Sequence, residues 1–107
     1  MKVSPELFDN TVQFYQTILG LPPAHLENPH TGNSVVFDFE GKNLWIDQRE
    51  GVTQSEIWLE IVADDIEAAD IYLSEMGCDR CDEVEPLPNG FKGFWVRGPG
   101  SVIHLIN

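Results

Sequence analysis

Apolar positions recur with two periods along this chain, and each period occurs in both halves. Phe8, Val12, Tyr15 and Leu19, with Thr11 and Ile18 beside them, follow helical spacing. Ser4 suits the cap of that helix and Pro5 its first turn. Gly20 stops it, and Pro22 and Pro23 prevent its return. A second helical stripe is Ile66, Ala69, Leu73 and Met76. Asp64 or Asp65 opens that helix, Asp64 with Glu67 reads as a capping box, and Gly77 ends it.

Outside these helices the period is two. Residues 35–39 and 44–47 read as strands around Gly41. Residues 57–62 read as a strand with Trp58, Glu60 and Val62 on one face. Residues 78–84 read as a polar, acidic strand. The last stretch reads as a hairpin, 91–97 and 101–106 around Gly98, Pro99 and Gly100, with Val102, His104 and Ile106 on one face. A stub of strand at 1–4, a short strand at 24–27 and a turn at 28–33 complete the pattern.

The two halves repeat each other. Phe37 and Phe94, Gly41 and Gly98, Ile46 and Ile103, Asp47 and His104, Tyr15 and Tyr72, and Gly20 and Gly77 are all separated by 57 residues. The same register pairs Met1 with Trp58. Each half therefore reads as a βαβββ unit, roughly 1–50 and 55–107, joined by the polar stretch 49–54 within a single domain. The fold class expected is α+β, with two βαβββ units forming a curled mixed sheet.

Charge narrows the partners. Eighteen acidic residues against six basic ones give −12 at neutral pH and a pI of about 4.3. Phosphate-rich nucleic acid and anionic membranes would be repelled, whereas a cationic ligand would be drawn in. No long apolar run and no leader-like start occur, so a soluble, cytoplasmic protein is expected. Two cysteines make no disulfide framework, which fits a reducing compartment.

The stretches FYQTILGLPP, IWLEIVADDIEAADIYLSEMG and FWVRGPGSVIHLI, in that order and spacing, resemble the vicinal oxygen chelate superfamily of glyoxalase I, extradiol dioxygenases, fosfomycin-resistance enzymes and bleomycin-resistance proteins. The resemblance spans nearly the whole chain. It implies paired βαβββ units curled into a cup around a ligand, and a homodimer. In metal-using members the ligands come from the first and last strand of each unit. Carried over, those positions are one near or before Met1, then Asp47, Trp58 and His104.

This chain departs from the metal pattern. Trp58 offers only an N–H donor, and the short first strand supplies no matching ligand. Asp47 and His104 remain, with Glu60 on the Trp58 face as a possible third donor. A Trp in the strand opening the second unit and a His in the closing strand are similar to the bleomycin-resistance type, which carries no catalytic metal. The expectation is therefore a small-molecule-binding protein with no cofactor. Its planar or cationic organic ligand would be held by Trp45, Asp47, Trp58, Glu60 and His104. Two readings compete with it. One is a divalent-metal lyase, isomerase or dioxygenase using Asp47, Glu60 and His104. The other is a non-catalytic partner or sensor subunit with a packed cup.

Other features carry less. Cys78 and Cys81 match C-x-x-C, but in a predicted strand and with no second pair. His25 and His30 lie among turn residues. Arg97 precedes a turn whose register the sequence leaves open, so the faces of Trp95 and Arg97 are not assigned.

Overall fold

A computed structural model describes residues 1–25 and 33–107. It is α+β, and its contacts divide it into two compact units, Met1–Glu56 and Ile57–Asn107. Each holds its own small sheet and its own helix.

The first unit opens with β1 (Lys2–Val3), followed by α1 (Pro5–Gln13). A π-helical turn, Phe14–Ile18, continues α1, with the Leu19 N–H reaching back to the Phe14 carbonyl at 2.9 Å. This wider turn shifts the phase of the apolar stripe. Phe8, Val12 and Tyr15 therefore pack on the core, while Leu19, expected to join them, is half-exposed. The sheet has the order β1-β3-β2, with β2 (Ser34–Phe39) antiparallel to β3 (Lys42–Gln48) and β1 parallel to β3. Glu40 and Gly41 both have positive φ, 52° and 83°, the geometry of a two-residue type I′ hairpin turn. The Asp38 carboxylate accepts the Gly41 N–H at 2.8 Å. The strand expected at 24–27 begins earlier, as a single bridge between Pro23 and Phe37, with Ala24 donating to the Val36 carbonyl. Its end, and most of the turn expected at 28–33, lie outside the described residues. Val3, Phe37 and Ile46 form the core beneath α1.

The second unit runs β4 (Leu59–Ile61), α2 (Ile66–Glu75), β5 (Asp79–Arg80), β6 (Phe94–Arg97) and β7 (Ile103–Ile106), in the sheet order β4-β7-β6-β5. Asp65 caps α2 by accepting the Ala68 N–H at 3.0 Å, so the capping box read from Asp64 does not form. The helix ends at Glu75, and Met76, expected in its stripe, is exposed.

The strand expected over 78–84 lasts only two residues. Asp82 ends it: its carboxylate takes the Trp95 N–H at 2.9 Å, a donor the β5–β6 ladder would otherwise use, and the chain turns into a 3-10 helix at Asp82–Val84. Cores lie on both faces of this sheet. Phe94, Val96 and Ile106 pack with Ile66, Ala69 and Leu73 on the α2 side; Cys81, Trp95 and Ile103 pack with Trp58, Val84, Leu87 and Leu105 on the other.

Candidate functional site

The repeat of 57 residues survives in backbone register. Lys2 is the parallel partner of Asp47, and Leu59 is the parallel partner of His104. It does not survive in facing. Thirteen residues separate Asp47 from its hairpin partner Ser34, but only eight separate His104 from its partner Val96. The difference is odd, and an odd slip exchanges the two faces of a strand. Phe37 and Phe94 both face their helices, yet Asp47 points away from α1 while His104 shares the α2 side with Val96 and Ile106. The matching roles expected for Asp47 and His104 are corrected accordingly.

In the first unit the structure does bring expected residues together. Trp45 and Asp47 alternate with the buried Ile46, so both lie on the face turned from α1. Each carboxylate oxygen of Asp47 already has a partner. Oδ1 accepts from the Ser34 hydroxyl at 2.6 Å, and Oδ2 meets the Lys2 ammonium at 3.0 Å. Lys2 is only 7% exposed. The sequence reading missed Lys2 because a lysine in a two-residue strand carries no pattern; only its pairing with β3 gives it a role.

In the second unit Trp58 packs edge-on against Trp95, with ring centroids 5.2 Å apart and planes at 75°. Trp95, whose face was left open, is thereby placed beside Trp58 and away from α2. Glu60 is the register partner of Leu105 on that same face and accepts from the Asn107 amide at 3.0 Å. His104 is on the opposite face. Its imidazole lies against Gly98, where an added Cβ would stand 2.9 Å from Cε1. Arg97 approaches Asp79 at 3.9 Å and Glu83 at 3.6 Å, so its partners are carboxylates.

A divalent metal does not fit this donor set. Trp58 has no lone pair to give, Glu60 and His104 sit on opposite faces of one sheet, and an ammonium already holds Asp47. Among the described residues no three His, Cys, Asp or Glu side chains gather as metal ligands. Catalytic zinc sites use three protein ligands.

The cysteines also part company. Cys78 is exposed, whereas Cys81 is buried against Trp95 and Ile103. Burial pushes the Cys81 thiol above its usual range. Thiolate is the reactive form, so a chromogenic disulfide reagent at neutral pH should titrate Cys78 rapidly and Cys81 only after unfolding. Equal rates would contradict this packing.

No family model matches the sequence, and no curated protein matches it. Solved structures do match the fold. A hypothetical protein from Bacillus halodurans C-125 aligns with a TM-score of 0.63 at 14% identity, covering 98% of this chain and 88% of that one. A glyoxalase/bleomycin resistance protein/dioxygenase superfamily member from Vibrio splendidus 12B01 aligns with a TM-score of 0.61 at 12% identity, covering 98% and 92%. The chain therefore has the glyoxalase/bleomycin resistance/dioxygenase fold, as the order of its motifs implied. Among the described residues no helix is long and apolar enough to cross a membrane.

Proposed function

We propose that this chain, built on the fold of the vicinal oxygen chelate superfamily, binds a small planar organic molecule without a catalytic metal. The observation that carries the reading is the separation of Glu60 from His104 across one sheet, because it dismantles the only three-donor set the sequence offered. What supports ligand binding is the face of the first sheet turned from α1. There Trp45 offers a flat ring beside a hydrogen-bonding edge of Asp47, Ser34 and Lys2. Trp58 and Glu60 supply a similar pairing of ring and carboxylate in the second unit. His104 plays no part on that face.

Lys2 neutralises Asp47, so a preference for cations comes from the charge of the whole molecule rather than from this carboxylate. The test is a panel of planar aromatic cations and their uncharged isosteres, titrated in chelator and followed by tryptophan emission. At least one member should saturate, and Trp45→Ala should weaken it roughly five- to thirtyfold, the loss of about 1–2 kcal/mol of stacking. Binding that requires an added divalent ion would favour the metal-enzyme reading instead.

A second copy of the chain is part of the same proposal. β4 is an edge strand, and its Leu59 and Ile61 are 47% and 50% exposed. Edge strands bearing apolar side chains are usually covered. Sedimentation at micromolar concentration should give the mass of a dimer; a monomer would remove this part of the account.

A further inference from the structure

The second unit carries a cleft that the reading above does not use. It has a volume of about 330 Å³ and lies along the seam of α2 and the sheet, lined by Ile66, Glu67, Asp70, Arg80, Lys92 and Phe94. None of these belongs to the set of Trp45, Asp47, Trp58, Glu60 and His104. The volume is at the lower end of the range for small-molecule sites.

The lining is organised by Arg80. Its guanidinium lies over the Phe94 ring, 4.7 Å from the centroid. Nη1 donates to Asp70 at 3.0 Å and Nε donates to Asp82, so the plane is fixed from two sides. Asp70 is thereby committed within the protein. Glu67 and Lys92 are not: both are exposed at the cleft, and neither has an ion pair among the described residues. Arg80 also keeps N–H groups beyond the two it uses. Two of the chain's six basic residues thus converge here, against a molecule of charge −12. An ammonium and a carboxylate with no ion pair among the described residues stand beside Ile66 and the Arg80 guanidinium that covers the buried Phe94.

We propose that this cleft binds a zwitterionic amino acid with an apolar side chain. Lys92, with the open edge of Arg80, takes the ligand carboxylate. Glu67 takes the ligand ammonium, and the side chain lies against Ile66 and the edge of the Arg80–Phe94 stack. A zwitterion matches both charges at once and brings no net charge into the protein's negative field. A simple anion would meet that field and Glu67 together; a simple cation would leave Lys92 unmatched.

The probes are L-leucine, 4-methylpentanoate, which lacks the ammonium, and 3-methylbutylamine, which lacks the carboxylate. Each is titrated into the 15N-labelled protein and read by amide shifts. Leucine should shift Ile66, Glu67, Asp70, Arg80, Lys92 and Phe94 saturably, and both analogues should bind more weakly. Glu67→Gln and Lys92→Met should each weaken leucine roughly tenfold, as expected for one charge-assisted hydrogen bond. Both positions are exposed, so the variants should keep the wild-type spectrum elsewhere. No saturable shift at the cleft overturns the proposal. So does equal binding of 4-methylpentanoate, which would mark a plain anion site, or leucine binding unchanged in both variants.

Discussion

Trp95→Ala is expected to lower stability by about 3–5 kcal/mol, the range for a large aromatic removed from a core. Trp95 is 5% exposed and packs with Cys81 and Ile103. Its ring N–H donates to the Glu85 carbonyl at 2.9 Å, and its edge contact with Trp58 adds an aromatic pair. Trp95→Phe should keep most of the ring contacts and lose the hydrogen bond, costing about 1 kcal/mol for that bond. Trp58 is only half-buried, so Trp58→Ala should cost less than Trp95→Ala. Urea unfolding of the three variants, followed by far-ultraviolet circular dichroism, gives this ranking directly. A Trp95→Ala protein as stable as the wild type would mean that this ring is not packed as described.

Lys2→Met is expected to cost about 3 kcal/mol, the lower end of the range for breaking a buried pair. The substitution keeps the length of the side chain and leaves the half-buried Asp47 carboxylate with the Ser34 hydroxyl and the more distant charge of the Met1 ammonium. Asp47→Leu should also be destabilising, since it removes the carboxylate 3.0 Å from the nearly buried ammonium. The double variant should cost less than the two single changes added together, because it removes both charges from the same site. A double-mutant cycle in urea measures that coupling. Additive losses would show that Lys2 and Asp47 do not support each other.

Much of the architecture was legible in the chain. The spacing of Phe8, Val12 and Tyr15, and of Ile66, Ala69 and Leu73, predicted the two helices and the faces that pack. The alternation around Gly41 predicted the first hairpin, and the Glu40–Gly41 turn explains why it is so regular. Where the pattern misled, a local hydrogen bond or an odd residue count intervened. Asp82 cut short the strand expected at 78–84 by taking a ladder donor for its own side chain. The π turn at Phe14–Ile18 moved Leu19 off its stripe, though nothing in FYQTI announces a five-residue step.

The candidate site was the least legible part, and for a related reason. A constant offset of 57 identifies partners along the backbone, and Lys2–Asp47 and Leu59–His104 obey it. Facing depends on the residues taken up between strands. The tight turn at Gly41 and the longer one between Arg97 and Ile103 differ by an amount that no count from Gly20 or Gly77 exposes. So Trp45 with Asp47, and Trp58 with Glu60, were grouped correctly on shared faces by alternation alone, whereas His104 was assigned to company it does not keep. Lys2 went unnoticed because a charge acquires meaning only from what it faces.

The proposed ligand binding on this fold needs no catalytic divalent ion. Elemental analysis of protein purified without any chelator tests it most directly. The account predicts zinc, iron, manganese, nickel and cobalt all far below one equivalent per chain, unchanged by Asp47→Asn or His104→Ala. A full equivalent of one of these metals, lost in either variant, would contradict it.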